Sequence, residues 1–126
     1  MRPSRLTRFC ANERGTAAVE FAIVGPIFLT LTVGMIYVCM LMFTVGSMQY
    51  AVEEGARCYS VKTTVCTDNA SAATYARNAY YGPITTPNFT ASVVACGHRV
   101  NASTDFTFNS GLGTFAVPIT ATSYFP

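Results

Sequence analysis

A single carboxylate, Glu20, stands at the beginning of a long apolar run. From Phe21 to Val52 the chain has no Asp, Glu, Lys or Arg, and this stretch exceeds the roughly 20 residues that a helix needs to cross a bilayer. A carboxylate at the edge of such a run is costly unless a positive group pairs with it. Cleavage after Gly15 would create such a group, because the new α-amino group of Thr16 would lie one helical turn from Glu20 and has a reference pKa of about 7.7–8.0.

Few other side chains are candidates for catalysis or metal binding. The one histidine, His98, follows a turn glycine and is expected to be exposed, and Cys66, Cys96 and His98 do not have the spacing of a zinc site. The segment after residue 59 has no Ser/His/Asp set, phosphate-binding loop or carboxylate cluster. We therefore expect a protein that is not an enzyme, with no catalytic residues, no cofactor, no metal and no small-molecule substrate.

The composition is typical of a membrane protein with a short exported part. Of the 126 residues, 51% are hydrophobic and 11% are charged, whereas soluble domains have about 25% charged residues. Residues 1–15 contain four arginines and one glutamate, and the charges from Glu53 onward cancel. By the positive-inside rule, the N-terminus stays in the cytoplasm and the C-terminal part is exported. The sequence has no basic patch of the kind that binds nucleic acid, so no nucleic-acid partner is expected.

The segment around Glu20 resembles a known processing site. It reads Arg14-Gly15-Thr16-Ala17-Ala18-Val19-Glu20-Phe21-Ala22-Ile23-Val24-Gly25-Pro26, with a glycine before the cut, an acid at the fifth mature position and an aromatic residue after it, as in prepilin-like proteins. The proline six residues after the acid makes the string more specifically similar to the TadE-like proteins, which are pseudopilins of the tight-adherence (Tad, or Flp) pilus system. The segment Ala51 to Cys58 and the final Tyr124-Phe125-Pro126 are also similar to that family.

The resemblance implies a pilin-like fold and a role in pilus assembly. A prepilin peptidase would remove residues 1–15 as a basic leader, residues 16–59 would form a long apolar helix whose first half spans the bacterial inner membrane, and residues 60–126 would be a periplasmic head. Gly15 and Thr16 would form the cleavage site, and Glu20 and Phe21 would act in assembly with other pilin or pseudopilin subunits. The expected function is that of a minor pseudopilin in an adhesive pilus, with a pilus or cell-surface location after assembly.

Two interpretations of Glu20 are open at this point. In the first, its carboxylate pairs with the Thr16 amine of its own chain or of a neighbouring subunit, which fixes the axial register of the assembly. In the second, the chain is an uncleaved single-pass anchor that presents a small exported interaction domain, and Glu20 lies at the level of the lipid headgroups.

The apolar run predicts one long helix from Thr16 to about Arg57 or Tyr59. At 1.5 Å per residue it would be on the order of 60 Å long, about twice the hydrocarbon thickness, so its outer half should leave the membrane. Gly25-Pro26 is expected to loosen or kink the helix near its start. After a polar turn that leads to an N-cap, residues 70–81 predict a second, shorter helix that Gly82-Pro83 ends.

From Asn88 onward, apolar residues alternate with polar ones, which predicts strands. Turns are predicted at residues 96–98 and 109–113, and Pro118 places the last strand on a sheet edge. The apolar side of the alternation consists of Phe89, Ala91, Val93, Ala95, Phe106, Phe108, Phe115, Val117, Ile119 and Ala121. The predicted fold class is α+β: a long N-terminal membrane-spanning helix, a short second helix and a small C-terminal antiparallel sheet of about three strands.

Three cysteines lie in the segment expected to be exported, where oxidation is permitted. A Cys58–Cys66 disulfide is the most local pairing. It requires the helix to end soon after Cys58, because eight further residues of helix would separate the two by about 12 Å. A Cys66–Cys96 disulfide, which would tie helix to sheet, is the alternative.

Overall fold

The computed structural model describes residues 13–83, 86–111 and 113–126, and it has the predicted α+β architecture. The chain divides after Ile36 into two compact units. Most of the expected leader, residues 1–12, and part of the turn expected at residues 109–113 lie outside the described residues. The elements are α1 (Glu13–Val61), α2 (Asn69–Asn78), β1 (Asn88–Val94), β2 (Gly97–Asn109) and β3 (Thr114–Phe125).

The first unit contains the beginning of α1, which starts three residues earlier than the sequence predicted. Almost every residue from Gly15 to Ile36 is exposed, although most are apolar. Pro26 lies inside the helix, and the hydroxyl groups of Thr30 and Thr32 donate to the carbonyl oxygens of Pro26 and Phe28, each over 2.8 Å. These bonds satisfy both hydroxyls within the helix, which allows threonine to lie in apolar surroundings.

The second unit is organised around the later part of α1. From Tyr37 onward the helix buries one stripe of side chains against the other elements, with the 3- and 4-residue spacing of a helix face. Met48 and Val52 are fully buried in the middle of this stripe. Its members are Tyr37, Leu41, Thr44, Val45, Met48, Ala51, Val52, Gly55 and Ala56.

The end of α1 is closed by a tight turn. The helix extends to Val61, two residues beyond the latest predicted end, and the N–H groups of Val65 and Cys66 both donate to the Lys62 carbonyl over 2.9 Å. The chain therefore reverses at once, and the Cα atoms of Cys58 and Cys66 are 5.8 Å apart across a disulfide bond. Among the described residues, Cys39 and Cys96 are free and exposed.

Removal of this disulfide should destabilise the second unit measurably. A Cys58→Ser, Cys66→Ser double variant is expected to lose about 2.5 kcal/mol of unfolding free energy, because the short closed loop restricts the unfolded chain. Denaturant unfolding of the full chain in detergent micelles measures the loss. Cys96→Ser removes an exposed thiol and should change stability by less than about 0.5 kcal/mol. Equal stability of the double variant and this control would contradict a structural role for the bond.

Helix α2 begins at a reciprocal cap. The carboxylate of Asp68 accepts from the Ser71 N–H over 2.7 Å, and the Ser71 hydroxyl accepts from the Asp68 N–H over 3.0 Å, so two donors at the helix start are satisfied. The helix ends at Asn78, three residues before the predicted end. It lies close to α1 at Gly55, where an added Cβ would stand 2.7 Å from the Cβ of Ala76. A glycine at this position thus permits the helices to touch.

The cap makes stability depend on pH. The hydrogen bonds from the hydroxyl and the N–H of Ser71 hold the pKa of Asp68 below its ordinary value of 3.8. Because the folded-state pKa is the lower one, the stabilisation is present above about pH 4 and is lost as pH falls through the folded-state pKa. Wild-type protein should therefore lose more stability between about pH 5 and pH 2 than Asp68→Asn, which keeps a cap that does not titrate. Parallel pH profiles of thermal unfolding would contradict this assignment.

The sheet has the order β1-β2-β3 with both pairings antiparallel, so β3 lies at an edge, as Pro118 predicted. The side of the sheet that faces the helices forms the core with α1. Ile119 and Ala121 are buried as expected, but Phe115 and Val117 on the same side of β3 are 61% and 44% exposed. The helices do not cover that end of the strand. The buried sheet residues are Phe89, Val100, Ala102, Phe106, Ile119 and Ala121.

Candidate processing and assembly site

Gly15 and Thr16 lie in the first turn of α1 and are exposed. A Cβ added to Gly15 would meet nothing within 4 Å, so a larger residue fits there without disturbing the described fold. The peptide bond between the two residues is helical, however, and a peptidase binds its substrate in an extended form. Cleavage at this bond would therefore require local unwinding, which a glycine facilitates because it costs about 1 kcal/mol of helix stability relative to alanine.

Glu20 lies one turn after Thr16 and is exposed in the described part of the chain. Residues four apart on a helix have neighbouring side chains, so an amine at Thr16 and the Glu20 carboxylate would lie on the same face. From Gly15 to Val52, Glu20 is the only charged residue. A cation that approaches this surface therefore has a single carboxylate to pair with, so Glu20 determines where on the helix the cation binds.

An apolar groove follows directly after Glu20. It has a volume of about 490 Å³ and is lined by side chains on both sides of Gly25 and Pro26. Phe21, which is 78% exposed, forms one wall, and its ring lies 3.8 Å from the position that a Gly25 Cβ would take. Pro26 has no N–H group, so the Ala22 carbonyl lacks its usual helical donor. The site thus combines a carboxylate, an aromatic wall and a weakened turn.

The other sequence candidates lie elsewhere. Cys58 and Cys66 form the disulfide, and Cys96 is an exposed thiol at the turn between β1 and β2. The expectation of an exposed turn position for His98 was wrong: the residue lies in β2, is half-buried, and its ring centroid is 4.1 Å from that of Tyr59. Within residues 13–83, 86–111 and 113–126, no group of three or more His, Cys, Asp or Glu side chains could hold a metal ion.

Sequence reasoning missed the aromatic contact at the beginning of the second unit. The rings of Tyr37 and Phe108 meet edge to face with centroids 4.4 Å apart, and Phe115 follows at 6.4 Å from Phe108. A signal was present, because Tyr37, Leu41 and Thr44 begin the 3- and 4-residue spacing of the buried stripe. Within a run that is apolar on all sides, that spacing is hidden.

Comparison with known proteins gives one family. The family model described as TadE-like protein matches residues 15–57, which include Gly15, Thr16, Glu20 and Phe21 and most of α1. No match was found among curated proteins or among solved structures. In the part of the chain that the structure describes, one helix, Gly15–Val61, is long and apolar enough to cross a membrane.

Proposed function

The chain is TadE-like over residues 15–57, and from this match we propose that it is a minor pseudopilin, a structural subunit for assembly of a Tad-type adhesive pilus. Residues 16 to 36 anchor it in the bacterial inner membrane, with the N-terminus in the cytoplasm and the second unit in the periplasm. At 1.5 Å per residue these 21 residues are about 30 Å long, which equals the thickness of the hydrocarbon core.

The observation that carries this proposal is the position of Glu20. It is the one carboxylate on an otherwise uncharged and exposed helical surface, and it lies one turn from the bond between Gly15 and Thr16. A prepilin peptidase that cuts this bond removes the basic leader and leaves a cationic amine at Thr16. The amine pairs with the Glu20 carboxylate of the same chain or of the next subunit, while Phe21 and the groove behind it receive a neighbouring apolar helix. The subunit is thereby a partner of other pilins or pseudopilins, and it carries out no enzymatic reaction.

One observation favours a second candidate function. Helix α1 continues through Gly15 to Glu13, and a peptidase must unwind this turn before it can cut. A chain that resists unwinding would remain an uncleaved single-pass anchor that presents residues 60–126 as a small interaction domain.

Intact-mass measurement of the protein extracted from membranes of its native host distinguishes the two functions. Loss of residues 1–15 is expected, and Gly15→Val should block it, because a branched side chain at that position hinders the extended backbone from entering a protease site. Gly34→Val is the matched control, since a Cβ at Gly34 also meets nothing within 4 Å, and processing should proceed normally in it. Retention of the leader by the unaltered protein would contradict the pseudopilin proposal.

A further inference from the structure

The tip of the β2–β3 hairpin, defined by residues 106–111 and 113–117, lies against the first helical turn of the second unit. Tyr37 contacts Phe108 at a centroid distance of 4.4 Å, and Phe108 is directly paired with Phe115 across the two strands. A row of three aromatic rings therefore runs from α1 to the free edge of the sheet. Tyr37 directly follows the segment to which we assign the membrane span.

The outer end of this row is exposed and apolar. Phe115 is 61% exposed and its neighbour on the same side, Val117, is 44% exposed, although both belong to the side of the sheet that forms the core further along β3. Exposed apolar side chains on α1 also continue past Tyr37, at Val38, Met42 and Phe43. The first charged residue of α1 after Glu20 is Glu53, so the apolar surface extends well beyond the contact with the hairpin.

The tip carries no charge that would oppose contact with lipid. From Phe106 to Pro126 the chain has no Asp, Glu, Lys or Arg. Three donors of the turn are bonded within it: the Ser110 N–H and hydroxyl both donate to the Gly113 carbonyl over 3.1 Å, and the Gly111 N–H donates to the Asn109 side chain over 3.0 Å. These bonds lower the cost of moving the three groups out of water.

We propose that the hairpin tip binds the lipid surface, with Phe115 and Val117 at the boundary between headgroups and acyl chains of the periplasmic leaflet. The inference rests on the membrane anchoring in the proposed function. A span of residues 16–36 places Tyr37 at the surface of the hydrocarbon core, so the tip attached to Tyr37 meets the periplasmic leaflet. Aromatic side chains favour this interface, and apolar area buried there adds to the binding of the anchor.

The chain has no tryptophan, so single tryptophans report local surroundings without background. Three variants of the full chain are reconstituted in phosphatidylcholine vesicles with or without lipid brominated near the headgroup end of the acyl chains, and Phe28→Trp is also measured with lipid brominated near the chain ends, which reaches the middle of the span. Phe115→Trp is the probe of the tip. Tyr124→Trp is the matched control, because it lies on the same strand, is 54% exposed and is about 30 Å away along β3. Phe28→Trp tests the membrane span itself.

Bromolipid should quench Phe115→Trp at least about threefold more strongly than Tyr124→Trp, and iodide in the buffer should quench them in the opposite order. If iodide quenches Phe115→Trp and Tyr124→Trp equally while bromolipid quenches Phe28→Trp, the inference about the tip is overturned and the membrane anchoring stands. Failure of bromolipid to quench Phe28→Trp would overturn the anchoring and this inference together. Shielding of Phe115→Trp that disappears on dilution with lipid would also overturn the inference, because a second copy would then cover the tip.

Discussion

Replacement of Glu20 with glutamine is expected to lower incorporation of the chain into pili by on the order of a hundredfold or more. Glu20 is exposed in the single chain, but in the proposed assembly it forms a buried ion pair with the Thr16 amine, and removal of one partner of such a pair costs about 3–5 kcal/mol. The Thr16 amine would then be left in apolar surroundings without a counter-charge. Cleavage after Gly15 should be largely unaffected, because the substitution leaves the leader and the scissile bond unchanged. The measurements are the amount of the chain in sheared pili and the intact mass of the membrane fraction.

Two further variants make the result specific. Glu53→Gln removes an exposed carboxylate later on α1 and should incorporate normally. Glu20→Asp keeps the charge on a shorter side chain and should restore part of the incorporation. Normal piliation in the Glu20→Gln strain would count against the proposed pairing, and unprocessed protein in that strain would show that Glu20 acts in cleavage instead.

The Met48→Ala substitution is expected to lower the free energy of unfolding of the second unit by about 2–5 kcal/mol, the usual cost of a large-to-small change in a core. Met48 is fully buried in the middle of the stripe that α1 presents to the sheet. The cavity would lie between α1 and the strands, so the packing of the helix against the sheet should weaken. Denaturant unfolding of the full chain in micelles, followed by near-ultraviolet circular dichroism of the tyrosines, measures the change.

Met42→Ala is the matched control for this prediction. The residue is on the same helix but is 64% exposed, so the same change in volume leaves no cavity and should alter stability by less than about 0.5 kcal/mol. Similar losses in both variants would mean that the helix contributes through its own stability and not through packing against the sheet.

The number and type of elements could be predicted from the sequence because each has a strong local signal. The uncharged run can only be a long helix, the segment around Asp68 has the composition of a cap, and the alternation from Phe89 onward has the period of a strand. The end of the helix was less predictable. The reversal at Lys62 depends on backbone hydrogen bonds, which the residue types in this segment do not predict.

Burial within the sheet could be predicted only in part. Alternation assigns Phe115, Val117 and Ile119 to one side of β3, but whether a helix covers that side depends on the length and position of α1, which are tertiary properties. Ile119 is covered and the other two are not. Val100 and Ala102 were missed because β2 continues for 13 residues, and its first half has many polar residues between the apolar ones.

Because α1 is already helical at Glu13, a cut after Gly15 creates a new helix N-terminus. The N–H groups of Ala17, Ala18 and Val19 then lose the acceptors four residues before them. These freed groups add to the positive pole of the helix macrodipole, beside the new amine. A carboxylate within the first turns lies where this field favours negative charge. After such a cut, Glu20 would therefore stabilise the new N-terminal end of the helix.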